Sequence, residues 1–369
     1  MPQVSIVVPC RNERSHIEAS IRSILAQETP PGGFECLVAD GCSDDGTREV
    51  LARLAAEDPR LRVVDNPGRI VSTGLNAAIR ASAGAIIIRM DAHTEYAPDY
   101  VRRCVEVLRE TGAQNVGGPW VAVGEGRVSR AIAAAFQSPF AAGGARSHDP
   151  DYEGPVDAVY LGCWPREVLE QAGLFDEELV RNQDDELSLR LTRAGARLWQ
   201  SPRIRSVYRP RNSLRALFRQ YTQYGYWKVR VIQKHRVPAS PRHLVPGAFV
   251  AALVGLPLLG LAWPPMFWVW GGMTGAYLLV VGVATVKTAR AQGADLLPLL
   301  PAVFAGYHIG YGYGFLRGVV DFMVLRRGAR GATARSPERL ARHRRHGPGA
   351  ASASSTSPQR QWPRAMCVS

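Results

Sequence analysis

Acidic residues stand just beyond apolar runs in this chain. Ala85-Ile86-Ile87-Ile88 is followed by Asp91-Ala92-His93. An apolar, β-branched run that stops at an acid reads as a buried parallel strand whose carboxyl end presents the acid to solvent. In open α/β sheets, ligands bind beyond such strand ends. A carboxylate there can hold a divalent cation against a diphosphate, because hard cations prefer oxygen ligands. The plainer alternative is an Asp that caps the following loop. Glu13 and Asp40 follow two other runs, and three acids along one sheet edge favour a ligand site over three separate caps. A further group, Gln183-Asp184-Asp185-Glu186, precedes apolar positions at Leu187, Leu191 and Ala194, which is helical spacing. Asp184 and Asp185 then sit at a helix start, where the dipole favours negative charge. Capping is the ordinary reason for acids there, but repulsion disfavours leaving three ionised in one desolvated place without a purpose.

The elements that must hold these acids alternate. Residues 4–9 read as a central strand ending at Pro9. Ser15 is expected to cap a helix running to about Ala26, with Glu18 completing a capping box. Residues 35–39 and 61–64 are further strands, and helices are expected over 47–56 and 74–81. Strands alternating with helices of this size imply βαβ units and a mostly parallel sheet, an α/β fold. No Gly-x-Gly-x-x-Gly opens a helix after the first strand and no phosphate-binding Gly-x-x-x-x-Gly-Lys loop is present, so dinucleotide and P-loop readings lose ground.

In combination, Val4-Ser5-Ile6-Val7-Val8-Pro9 with Asn12-Glu13, Asp40-Gly41-Cys42-Ser43-Asp44-Asp45-Gly46-Thr47 and Asp91-Ala92-His93 resemble glycosyltransferase family 2 over about residues 4–227. The resemblance implies the Rossmann-like GT-A nucleotide-sugar fold and an inverting sugar transfer. It implies a donor-nucleotide set of Pro9, Arg11, Glu13, Asp40, Arg69, Asn76 and Asp91. Asp91 takes the first place of the family's Asp-x-Asp motif, the metal and diphosphate position, and His93 stands where a second Asp is usual. A His suits Mn²⁺ better than Mg²⁺, and either cation remains open. Aligned on Leu187, Asp184 falls on the family's catalytic base, with Asp185 the alternative one position on. Gly162, Cys163 and Trp164 fall near the sugar pocket, a core role for Trp164 being equally open. Gln223 and Trp227 resemble the acceptor cradle of membrane polysaccharide synthases, although Tyr226 replaces the usual Arg. Within the family the arrangement looks closest to succinoglycan-type, membrane-associated glucosyltransferases. The implied partners are a UDP-linked sugar and a lipid-linked glycan in cell-surface or exopolysaccharide synthesis. Two rivals stay open: a polyprenyl-phosphate sugar transferase, and a non-catalytic nucleotide-binding membrane scaffold.

Mean hydropathy of -0.10 hides a partition. Residues 244–263 and 266–286 are apolar and uncharged, each about the roughly 20 residues that span a bilayer. A third run, 296–320, is broken by Pro298, Pro301, His308 and Arg317. The expected organisation is a catalytic domain over 1–235, a membrane region over 236–325 and a basic, disordered tail over 326–369. Lys228, Arg230, Lys234, Arg236 and Arg242 flank the first span, and Lys287 and Arg290 follow the second. Positive loops stay cytoplasmic, so two spans plus a re-entrant or interfacial third helix keep the catalytic domain inside a multi-pass protein of the cell membrane. Residues 219–230 mix aromatic and basic side chains and read as an interfacial helix. The net charge of +13 clusters beside these runs, so anionic lipid is the expected partner and nucleic acid is not. Six cysteines without Cys-x-x-Cys spacing read as free thiols, and no signal peptide precedes Val4.

Overall fold

The computed structural model describes residues 2–328. The tail expected over 326–369 lies, from residue 329, outside the described residues, as does Cys367. The strands are β1 Val4–Cys10, β2 Phe34–Asp40, β3 Leu61–Asp65, β4 Ile86–Arg89, β5 Thr94–Tyr96, β6 Asn115–Gly118, β7 Gly154–Pro155, β8 Tyr160–Pro165, β9 Leu198–Gln200 and β10 Ser206–Tyr208. The helices are α1 Ile17–Leu25, α2 Thr47–Glu57, α3 Val71–Ala81, α4 Tyr100–Thr111, α5 Gly126–Phe136, α6 Pro139–Ala142, α7 Arg166–Gln171, α8 Gln183–Arg193, α9 Leu214–His235, α10 Val245–Ala262, α11 Pro265–Gln292 and α12 Leu300–Gly318.

Eight strands form one sheet in the order β3-β2-β1-β4-β8-β6-β9-β7. The four strands of the first half are parallel, and β8 runs antiparallel to both β4 and β6. Period-two alternation sends side chains into two cores. Val4, Ile6, Val8, Cys36, Val38, Ile86 and Ile88 pack against α1, α2 and α4. Val7, Leu37, Ala39 and Ile87 pack on the other face against Leu75 and Ile79 of α3 and Leu187 and Leu191 of α8. Such double coverage explains why these strands read as continuous apolar runs.

Two local expectations are corrected. Ser15 does not cap α1. The helix begins at Ile17, and the amides of His16 and Ile17 both bond to the Glu13 carbonyl. The Glu18 carboxylate is taken by Arg22 and Arg53 rather than turned back to the helix start. The 219–230 stretch is not an open interfacial helix either. It lies in α9, whose Tyr226, Trp227 and Lys228 are buried.

The burial of α9 comes from α12. Gly306, Gly310, Gly314 and Gly318 recur at every fourth position; the first faces the Leu217 side chain, and the other three let the two backbones touch. A Cβ on Gly314 would stand 1.9 Å from the Thr222 carbonyl oxygen, and one on Gly225 would stand 2.0 Å from that of Tyr311. Residues through Arg327 form one compact unit, so the helical region after residue 235 continues the sheet domain. Two helical stretches, Pro241–Ala262 and Pro265–Gln292, are long and apolar enough to cross a membrane by length and composition. Both show large apolar side chains on their surfaces, including Leu258, Leu261, Trp268 and Leu279. Among the described residues α12 is not a third such helix, and Pro264 makes the turn between the first two. Cys10, Cys36, Cys42, Cys104 and Cys163 are unpaired thiols, as expected.

Overpacking a tight interface costs roughly 1–3 kcal/mol. Gly314→Ala, which must push back a backbone carbonyl, should therefore lower the thermal midpoint by several degrees in detergent. Gly275→Ala, with open space around its Cβ, should not lower it.

Candidate functional site

Register brings the acids together. Cys10 pairs with Asp40 and Val7 with Arg89, so β1, β2 and β4 end on one edge. There the β2–α2 loop clasps the β1–α1 loop. Asn12 and Asp44 exchange hydrogen bonds of 2.8 and 3.0 Å, and the Glu13 amide donates to Thr47 Oγ1 at 2.9 Å. Asn12 and Cys42 adopt left-handed backbone, which turns both loops sharply. Asp40 is fully buried: Oδ2 accepts from the Ser43 amide, and Oδ1 has no partner among the described residues. A buried acceptor left unpaired is costly. Arg11 lies over Gly41, where a Cβ would press on its side chain at 3.1 Å, and its Nη1 donates to the Arg69 carbonyl at 3.4 Å. Pro9, Arg11, Glu13, Asp40 and Arg69 thus share one edge. Asn76 does not join them. Its side chain donates to the Phe175 carbonyl and Glu177 and accepts from the Phe175 amide, which ties α3 to the loop after α7.

Asp91 lies two residues beyond β4. Arg89 grips it with two bonds, Nε to Oδ1 at 2.9 Å and Nη2 to Oδ2 at 3.1 Å. Burial alone would raise the Asp91 pKa; the charge of Arg89, helped by His93, outweighs it and holds the carboxyl below its ordinary range. Arg89 is itself buried, and its Nη1 has no hydrogen-bond partner among the described residues. His93 is half exposed, with Nδ1 3.9 Å from Glu13 Oε1.

The second acidic group arrives on α8. Asn182, in left-handed conformation, sets the helix start and donates to the Tyr224 carbonyl of α9 at 2.8 Å. The two neighbouring Asp residues then meet opposite fates. Asp185 is only partly buried; desolvation opposes its ionisation, but Lys228 Nζ at 2.5 Å more than compensates and lowers its pKa. Asp184 is raised by burial and then by the Asp185 charge, against weaker pull from Arg89 and Lys228. Glu186 is absorbed by Arg190 and His235, joining α8 to the end of α9.

Other expected positions fall elsewhere. Cys163 is fully buried in the core beside Cys104, and Trp164 packs edge-on against Phe175 in the opposite core. Adjacent strand residues must face opposite layers, and here both layers are packed, so neither side chain lines a pocket. Gly162 sits at φ +109, with no room for a Cβ against Trp164 and Asn115. Trp227 is buried against Tyr226 and Phe322, and Gln223 receives Arg181 at 3.3 Å. The charges that sequence reading missed are Arg89 and Lys228. Arg89 had a signal, a cation closing an apolar strand just before Asp91. Lys228, counted above as a membrane flank, had none without the fold.

Among the described residues no group of three His, Cys, Asp or Glu side chains is arranged to hold a metal ion. Asp91 and His93 alone, with both Asp91 oxygens engaged by Arg89, do not make a resident site. That donor set fits a divalent cation that brings most of its shell as phosphate oxygens and water.

Comparison with known proteins identifies the family and the fold. The family model "Glycosyl transferase family 2" matches residues 5–159. The succinoglycan biosynthesis protein ExoA of Rhizobium meliloti (strain 1021) is 36% identical over 320 residues, 86% of this chain and 95% of that protein. A dolichyl N-acetyl-alpha-D-glucosaminyl phosphate 3-beta-D-2,3-diacetamido-2,3-dideoxy-beta-D-glucuronosyltransferase of Methanococcus voltae is 23% identical over 324 residues, 86% of this chain and 97% of its own. Among solved structures, the mannosyltransferase PcManGT from Pyrobaculum calidifontis, in complex with GDP-Man and Mn2+, shares the fold. Its TM-score is 0.56 at 20% identity, over 84% of this chain and 87% of that one.

The two Asp residues should affect stability with opposite signs. Folded Asp184 holds its proton more tightly than the unfolded chain, so its ionisation costs stability as pH rises above the ordinary carboxylate pKa of about 3.9. Folded Asp185 holds its proton less tightly, so its pair contributes stability above that pH and loses it as pH falls through the lowered pKa. Asp184→Asn should raise the thermal midpoint at about pH 8 and lose the gain near about pH 4, whereas Asp185→Asn should lower it at about pH 8. Melting curves across that range check both signs.

Proposed function

The chain belongs to glycosyl transferase family 2 and is a glycosyltransferase, and from that premise we propose that it is an inverting enzyme carrying a sugar from a UDP-linked donor to a hydroxyl of a lipid-linked glycan at the cytoplasmic face of a membrane. The observation that carries this reading is the unequal pair on α8: Asp185 is neutralised by Lys228, and Asp184 is left under-compensated beside Arg89. An acid whose pKa is pushed up is better matched to accept a proton near neutral pH. Asp184 is the base in this reading. It takes the acceptor hydroxyl proton as that oxygen bonds to the anomeric carbon. The carbon–oxygen bond to the nucleotide breaks in line, its electrons leave with the diphosphate, and the configuration inverts.

The donor sits over the β1–β2 edge. Asp40 Oδ1 accepts an N–H or O–H from the nucleoside, with Pro9, Arg11, Glu13 and Arg69 around it. Asp91, with His93 beside it, would hold a divalent cation, which would supply charge neutralisation for the diphosphate. Arg89 keeps the Asp91 carboxylate ionised and oriented.

The acceptor is argued from the base. A lipid phosphate is already ionised and needs no proton removed, whereas a glycan hydroxyl does. The raised Asp184 therefore favours a hydroxyl acceptor over the polyprenyl-phosphate alternative, and a non-catalytic scaffold has no use for it. The relatives' names, one in succinoglycan biosynthesis and one acting on a dolichyl-linked sugar phosphate, support a lipid-borne glycan. The apolar surfaces of Pro241–Ala262 and Pro265–Gln292 support membrane integration in two passes, with the catalytic unit cytoplasmic.

Asp184→Asn should cut transfer by roughly 10²–10⁴-fold, the usual cost of losing a positioned base, while UDP binding persists. Turnover with UDP-sugars and membrane lipid extract reads the rate, and calorimetry with UDP reads the donor site. An active Asp184→Asn beside a dead Asp185→Asn would move the base by one residue. Alkaline carbonate should leave the full chain in the membrane pellet; its release would remove the membrane assignment.

A further inference from the structure

A groove of about 440 Å³ runs between the α5–α6 corner and the later half of α11. This lies in the range of roughly 300–1,000 Å³ that holds organic ligands. Phe140, Val280, Val283 and Ala284 are apolar lining residues, and Gln137, Lys287, Thr288 and Gln292 are polar ones. Val280 and Val283 are about half exposed and continue the bare apolar face of Leu278 and Leu279, so the groove opens sideways onto that face. Lys287 is exposed and forms no ion pair among the described residues. The groove has firm walls. Arg130 of α5 pairs with Asp295, just past α11, at 3.0 Å, and His308 of α12 meets the Phe140 carbonyl at 3.1 Å.

A relay of side-chain contacts links the groove wall to the loop that carries Asp91. Gln137 Nε2 donates to the Trp120 carbonyl at 2.9 Å. Trp120 stacks on Tyr160, with ring centroids 4.8 Å apart. Tyr160 shares a 3.0 Å hydrogen bond with Thr94, three residues after Asp91. An anionic headgroup at Lys287 and a hydrocarbon chain along Val280 and Val283 match the charged and apolar parts of this lining.

We propose that this groove seats the lipid anchor of the acceptor, with Lys287 pairing its anionic phosphate headgroup and the α11 wall taking the first part of its hydrocarbon chain. The proposal rests on the lipid-linked acceptor reading above. It names where that lipid sits, a question separate from whether transfer occurs.

The test is direct binding of farnesyl diphosphate to the full-length protein in neutral detergent, followed by native mass spectrometry. Farnesyl diphosphate should bind more tightly than farnesol or inorganic pyrophosphate, and saturating UDP with Mn²⁺ should not displace it. Lys287→Gln and Ala284→Trp, the second filling the groove, should each weaken it about tenfold or more while UDP affinity is unchanged. Unaltered binding in both variants would overturn the proposal. So would displacement by UDP, which would place the probe in the donor site, or equal competition by phosphatidylglycerol, which would make the groove a general anionic-lipid contact. Transfer activity is assayed separately, so a protein that binds the probe here yet transfers nothing would sink the function and leave the groove.

Discussion

Charge compensation inside the sheet's carboxyl edge governs this molecule. Arg89 and Lys228 are buried, and Asp91, Asp184 and Asp185 are partly buried around them. Arg89, Lys228 and Arg242 act on these three carboxylates, and they compensate Asp184 least. The geometry decides where the deficit falls. Arg89 spends two of its donors on Asp91, and Lys228 spends its closest contact on Asp185. What remains for Asp184 is the residual field of both, and burial prevails there. A buried ion pair adds little to stability, and breaking one costs roughly 3–5 kcal/mol. The network is therefore better understood as a device that keeps neighbouring carboxyls at different proton affinities. Adjacent residues on one helix turn achieve what acid–base sites elsewhere need two separate pockets to do.

That division depends on helices far from the sheet in sequence. Lys228 reaches Asp185 only because α9 lies against α8, held by Asn182 to the Tyr224 carbonyl and by His235 to Glu186. α9 is pinned from behind by α12, where glycines replace side chains and the backbones meet. A shift of α12 by the width of one methyl group would be felt along α9 as a displaced Lys228, because packed interiors transmit strain rather than absorb it. The apolar helices α10 and α11 also pack on α12, with Gly312 against Pro246 and Val250 and Gly247 against Phe315. In the proposed setting, the elements that meet the membrane therefore brace the electrostatics of the base as well as anchoring the chain.

What the sequence disclosed and what it withheld divide along this line. The parallel half of the sheet was legible because double coverage leaves uninterrupted apolar runs, and the acids at their ends announced the edge. Asp184 at the head of α8 was legible as a position, from the spacing of Leu187 and Leu191 behind it. Its difference from Asp185 was not, since that resides in a lysine 43 positions later. The same gap misplaced Asn76, a polar residue near the donor loops by number whose hydrogen bonds are all spent on Phe175 and Glu177. It misplaced Cys163 and Trp227, whose motif neighbours suggested a pocket and whose burial puts them in the core, and it left Trp164 open between pocket and core, where the fold puts it in the core. Polar pattern along a chain shows where charge can gather. Whether a given charge is matched depends on which distant element folds against it, and in this chain the decisive partner was Lys228, written among residues that looked like a membrane flank.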